Sequence, residues 1–230
     1  MTEINWTNIM PSYEGMLSAG VHYGRKKTVK HPKMDDFVYA LRDSIHFINI
    51  FKTEEELKKT IEFLKKVKES GGVILWTALT KYSEEKIVEI ANLLDMPYVK
   101  ERWLGGILTN FKTIKERSRY FHEMEEKWNN KDYMEKLTKK QRHDMEKELR
   151  LLREKFQGLG KMAKLPDVVF LSSMRHGGLP FREAKKLGIK VAAICNTESD
   201  PSKLDYVIPA NDNAKQSVEL ILETIKKGLT

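Results

Sequence analysis

Short, mostly apolar runs punctuate the chain at 46–50 (HFINI), 72–77 (GVILWT), 97–100 (PYVK), 167–173 (DVVFLSS), 189–194 (IKVAAI) and 205–209 (DYVIP). Runs this short, without sustained polar alternation, predict strands buried on both faces. Between most of them the apolar spacing turns helical. Leu57, Ile61, Leu64 and Val67 share one face of 53–69, and Ile87, Ile90, Ala91 and Leu94 share one face of 83–95. Segments 180–187 and 211–227 behave the same way. Thr53 with Glu56, and Ser83 with Lys86, stand where helix N-caps belong. Strand alternating with helix predicts a parallel sheet covered on both faces, an α/β fold.

One stretch breaks that rhythm. From Phe111 to Phe156 no strand pattern occurs. Phe111, Ile114, Phe121 and Trp128 fall near heptad spacing, and NNKD at 129–132 interrupts it. Thr138 and Gln141 then form a capping box, and Met145, Leu149, Leu152 and Phe156 recur at steps of four, three and four. Two antiparallel helices of about twenty residues would each reach about 30 Å. Each carries one narrow apolar stripe. The reading is a protruding helical hairpin, 111–156, inserted into an α/β domain made of 1–110 and 157–230. The alternative is a pair of ordinary surface helices folded back on the domain. Residues 112–156 hold fourteen Lys or Arg against ten Asp or Glu, a net of +4.

Charge gives the pattern a direction. The 230 residues carry 41 Lys plus Arg against 33 Asp plus Glu, a net of +8, which favours a polyanionic partner. The single cysteine, Cys195, excludes a disulfide framework or a cysteine metal cluster within the chain. No apolar run is long enough to cross a bilayer, and the first residues read neither as a secretory signal nor as an Arg-rich transit peptide. The expectation is a protein of a reducing compartment that does not enter a membrane.

The stretch RWLGGILTNFKT, 102–113, resembles a phosphate cradle, with a glycine pair ahead of a helix start. A Walker loop needs Lys and Ser or Thr directly after its last glycine, and here Ile107 and Leu108 follow. A dinucleotide loop needs three glycines between strand and helix, and neither this pair nor those at 71–72 and 158–160 supplies them. The pair therefore reads as a structural joint: Gly105 and Gly106 give backbone freedom, Trp103 anchors, and Thr109 or Asn110 caps the following helix.

The segment HYGRKKTVKHPK, 22–33, holds Arg25, Lys26, Lys27, Lys30 and Lys33 with no acid among them, interleaved with His22, Tyr23 and His31. A dense, one-signed, irregular run suits contact with an RNA backbone, with aromatic rings available for stacking; the bland reading is a solvated face. Catalytic signals are sparse. The six histidines show no ligand spacing, and there is no GxSxG. Ser172, Ser173, Arg175 and His176 follow a strand, where α/β sheets place ligands, and leave open an enzyme acting on an anionic substrate. Asp200, Asp205 and Asp212 are oxygen donors whose convergence on a cation the sequence cannot establish.

Taken in order, MLSAGVHYG (16–24), HPKM (31–34), IHFINIFKT (45–53), RWLGGILTNFKT (102–113), KLTKK (136–140), LPDVVF (165–170), EAKKLGI (183–189) and SDP…DYVIPANDNA (199–214) resemble the second protein of the small ribosomal subunit in its bacterial and organellar form, the S-two family. The resemblance implies a flavodoxin-like α/β sandwich with a protruding coiled-coil hairpin, no catalysis and no cofactor. It implies small-subunit ribosomal RNA as partner, together with neighbouring small-subunit proteins including the large first protein, on a cytoplasmic or organellar ribosome. By the family's motifs, the RNA-facing residues are those of 16–34, and Arg102 and Trp103 lie at the hairpin base. The chain departs from many relatives at Arg25, where they carry His, and at Asn196 and Asn213, where they carry Asp. No metal ligand set is implied here.

Overall fold

A computed structural model describes residues 5–100 and 102–230. In chain order the elements are α1 (Trp6–Ile9), α2 (Tyr13–Ser18), β1 (Tyr23–Lys26), β2 (Val38–Arg42), β3 (Ile45–Ile48), α3 (Ile50–Glu69), β4 (Ile74–Thr77), α4 (Lys81–Leu93), β5 (Tyr98–Val99), α5 (Phe111–Asn129), α6 (Lys131–Glu135), α7 (Lys139–Phe156), β6 (Val168–Leu171), α8 (Gly178–Lys186), β7 (Lys190–Cys195), β8 (Tyr206–Pro209) and α9 (Lys215–Leu229).

Five strands form a parallel sheet in the order β5-β4-β6-β7-β8. Numbered by their own succession this is 2-1-3-4-5, the flavodoxin-like winding. Alternate residues feed two separate cores. Ile74, Trp76, Val168, Phe170, Ala192, Ile194 and Ile208 meet Leu57, Ile61 and Leu64 of α3, Ile87 and Ile90 of α4, and Val218, Ile221 and Ile225 of α9. Leu75, Val99, Val169, Leu171, Val191, Ala193 and Val207 face the other way, against Trp103, Ile107, Leu108 and Ala184 of α8. Both faces are dry, which is why these strands read as apolar runs rather than as alternation.

The run at 46–50 is the exception. Its strand β3 lies in a second, antiparallel sheet of order β1-β3-β2. Of its other strands, β1 is Tyr-Gly-Arg-Lys and carries no apolar-run signal, whereas β2 falls in the apolar run 37–41, a strand not expected above, and leaves Tyr39 and Leu41 exposed. The first long helix begins at Ile50, not Thr53. Asn49 is its N-cap, its side chain accepting from the Phe51 N–H at 3.0 Å. Thr53 is buried one turn in, and its hydroxyl donates to the Pro209 carbonyl at 2.6 Å. Likewise Thr80, not Ser83, caps α4, with Ser83 at the third helical position completing the box.

Residues 111–156 contain three helices and no strand. α5 and α7 lie side by side, bridged by Tyr120 to Glu148 at 3.1 Å and Arg153 to Glu125 at 2.8 Å. Thr138 and Gln141 form the capping box of α7. The apolar stripe is not closed on itself. Phe121, Met124, Leu149 and Phe156 are buried in the same cluster as Leu75, Val99 and Trp103, so the root of the pair is continuous with the second core.

Candidate nucleic-acid interface

The small sheet presents the basic segment. His22 is half-buried against Tyr23 and Phe47, with ring centroids 4.1 and 5.5 Å away, and burial lowers its pKa. Tyr23 is 45% exposed. Gly24 is required by close approach: a Cβ there would meet the His46 carbonyl at 2.6 Å and Thr197 at 2.7 Å. Beside this row Tyr39, Leu41 and Phe51 leave further apolar surface in solvent.

The cations of the run divide into two sets. Lys26 and Lys27 are exposed, and neither makes an ion pair with a described residue. The others meet acids that lie outside the run. Arg25 donates to Glu198 at 2.9 Å and lies 3.8 Å from the buried Asp212, while its backbone N–H donates to the Thr197 hydroxyl at 2.8 Å. Lys30 pairs with Asp35. Lys33 donates to the Ser202 hydroxyl at 2.6 Å and lies 3.6 Å from Asp200; His31 lies 3.9 Å from the same carboxylate. Bonds from Ser202, then the charges of Lys33 and His31, hold the Asp200 carboxyl below its ordinary value despite some opposing desolvation. The run is one-signed in sequence and largely neutralised in space at three of its five Lys or Arg positions.

Asp200, Asp205 and Asp212 do not converge. Asp205 accepts from Lys185 and the Val191 N–H, and Asp212 from Ser173 at 2.6 Å and Asn196 at 3.1 Å. Among the described residues no three acidic, His or Cys side chains are grouped to hold a metal. The strand ends where a flavodoxin-like sheet receives ligands are likewise occupied by the chain itself. The Ser172 hydroxyl accepts from the Leu79 N–H at 2.9 Å and bonds Ser83 at 3.0 Å, both serines at 172–173 are fully buried, and Arg175 turns to Glu198 at 3.5 Å.

The backbone from Gly106 to Thr109, without Gly105, cradles an anion, and the anion is internal. Glu183 of α8, 6% exposed, sets one carboxylate oxygen against Trp103 Nε1 at 2.9 Å and the Gly106 N–H at 2.8 Å. The other oxygen accepts from the Leu108 N–H at 3.1 Å, the Thr109 N–H at 3.2 Å and the Thr109 hydroxyl at 3.3 Å. Burial pushes this carboxyl up, but the bonds from Trp103, Gly106, Leu108 and Thr109 outweigh it and leave the pKa lowered. Gly106 has φ +94°, a left-handed conformation that suits glycine; Gly105 does not, and a Cβ there would meet nothing within 4 Å. The backbone here therefore calls for glycine at Gly106 and not at Gly105. Asn110 is the N-cap by position, but its side chain accepts from the Thr113 hydroxyl at 2.9 Å instead of from the helix backbone. Arg102 is exposed beside Trp103, following β5 at the sheet edge opposite β8.

A family model described as ribosomal protein S2 matches residues 16–230, which takes in the basic segment, the joint and both sheets. The chain belongs to the ribosomal protein S2 family. It is 39% identical over 207 residues to a small ribosomal subunit protein uS2 of Thermus thermophilus, covering 90% of this chain and 80% of that one. A protein of the same name from Dictyoglomus thermophilum is 40% identical over 214 residues, 93% of this chain and 87% of the relative. One from Fusobacterium nucleatum is 37% identical over 222 residues, 95% and 88%. Within this S2 chain, Glu183 is the residue that sequence reasoning passed over. Its only local signal is an acid in an otherwise basic, amphipathic helix, on the same side as Ala184 and the core.

Proposed function

We propose that the chain is a structural, non-catalytic constituent of the small ribosomal subunit. In this reading it binds small-subunit ribosomal RNA through the exposed end of the small sheet. Lys26 and Lys27 meet phosphates, and Tyr23 beside them offers a stacking face. His22, Arg25, Lys30, His31 and Lys33 shape that surface and reach RNA only in part, since acids already engage most of their charges. Arg102 is a separate phosphate contact at the joint. The exposed apolar residues Tyr39, Leu41 and Phe51 suit a neighbouring small-subunit protein, the large first protein among them. Residues 111–156 project from the α/β domain as a coiled-coil hairpin aimed by the joint. The observation that carries the reading is the family match over 16–230, joined to relatives named as small-subunit proteins. The filled strand ends at Ser172 and Ser173 speak against the enzyme alternative.

The test is a salt titration of binding to small-subunit ribosomal RNA. Replacing Lys26 and Lys27 with Ala should flatten log affinity against log salt by about 0.9 per lost duplex phosphate contact. Arg25→Ala should leave the slope nearly unchanged while lowering the melting temperature. An unchanged slope in the double variant would remove these lysines from the interface.

A further inference from the structure

A cavity of about 450 Å³ opens at the root of the helical pair, between the first turns of α5 and the segment 159–163. Its walls include Phe111 and Ile114, both half-buried, and the buried Leu159 and Met162. The two walls are held close: a Cβ at Gly160 would meet the His122 ring at 2.2 Å, and the Lys115 ammonium donates to the Ala163 carbonyl at 3.0 Å. The rim is basic. Lys112, Lys115 and Arg119 line it against one acid, Glu116. Lys112 makes no ion pair with a described residue, and Arg119 reaches only the exposed Glu123, at 3.5 Å.

We infer that this cavity receives an apolar side chain of a second protein, carried on a segment whose flanking residues are acidic. The inference rests on the small-subunit reading, because the partner is met in the assembled particle. The rim alone would serve either a phosphate or a carboxylate. The wall decides between them: Phe111, Ile114, Leu159 and Met162 offer a phosphate nothing and a base edge few hydrogen-bonding groups, whereas an aliphatic or aromatic side chain gains burial there. Methionine adapts to such a guest, and the volume lies in the range of specific pockets. The cationic rim then selects carboxylates on either side of the anchor and repels basic segments.

The chain's only cysteine, Cys195, is fully buried, so a new surface thiol can be labelled selectively. Ala163→Cys and, on the opposite wall, Glu116→Cys would each be coupled to a benzophenone maleimide. Each labelled chain would be incorporated into small subunits of its own source, isolated by sedimentation, photolysed and mapped by mass spectrometry. The expected result is the same protein segment cross-linked from both positions, with Asp or Glu flanking an apolar residue. The yield should fall about tenfold when Lys112→Glu and Arg119→Glu are added, the effect of reversing two rim charges. Cross-links to ribosomal RNA, to a basic segment, or to nothing, in chains that do sediment with the subunit, would overturn the inference alone. Chains that never enter the subunit would overturn the small-subunit reading and this inference with it.

Discussion

Glu183→Gln removes one charge and one acceptor from the centre of the joint. The carboxylate takes five hydrogen bonds, from Trp103, Gly106, Leu108 and twice from Thr109. A carboxamide keeps one oxygen and turns a donor toward the other set. Turned toward the Oε2 set, it leaves the Leu108 and Thr109 backbone N–H groups without an acceptor, although the Thr109 hydroxyl can rotate to accept from it; turned toward the Oε1 set, it orphans the Trp103 indole N–H and the Gly106 N–H. Each orphaned buried donor costs about 1–3 kcal/mol, and the surviving bonds lose their charge assistance. The expected loss is about 3–5 kcal/mol, which for a chain of this size lowers the melting temperature by about 6–20 °C. Circular dichroism melts of parent and variant measure it. The pH dependence gives a second readout with a defined sign. The folded carboxyl titrates below its ordinary value, so its stabilisation is complete above the unfolded pKa of about 4.3 and disappears as pH falls through the lower folded value. The gap between parent and variant should therefore hold from about pH 8 to pH 5 and narrow below about pH 4. A Gln variant melting within about 2 °C of the parent at neutral pH would refute the internal-anion account of the joint.

The two glycines of the joint should separate. Gly106→Val, at φ +94°, is expected to cost about 1–3 kcal/mol and Gly105→Ala to melt at or slightly above the parent, as read by the same assay. Equal losses at both positions would contradict the geometry. Cys195, fully buried and with its thiol pushed well up by burial, should resist Ellman's reagent in the native chain and react fully in guanidinium. Rapid native labelling would contradict its place in the second core.

The parallel sheet was legible because strands buried on both faces must be apolar throughout, and Val168–Leu171 and Lys190–Cys195 are nearly so. In the small sheet β3 was legible, but β1 was not, because Tyr23–Lys26 owes its strand conformation to pairing with β3 and to the close seat of Gly24 on Thr197, neither of which is local. Helix starts moved for a similar reason. Thr53 resembles a cap, but its hydroxyl serves Pro209, 156 residues away. The basic run was visible as a run, while the acids that pair with Arg25 and Lys33 lie in the 198–212 stretch and come to it only through the fold. The reading of 102–113 as a joint came from its glycines and its missing Walker residues. The acid that fills it lies 77 residues beyond Gly106 and has no spacing signature.

As a structural part of the small ribosomal subunit, this chain should be found in that particle. The most direct measurement is sucrose-gradient sedimentation of a lysate from the source cells, with the chain detected across all fractions and the gradient repeated under conditions that dissociate the two subunits. The chain is expected to track the small subunit and its ribosomal RNA in both gradients, at a stoichiometry near one per particle. A chain that stays at the top of the gradient, or that follows the large subunit after dissociation, would contradict it.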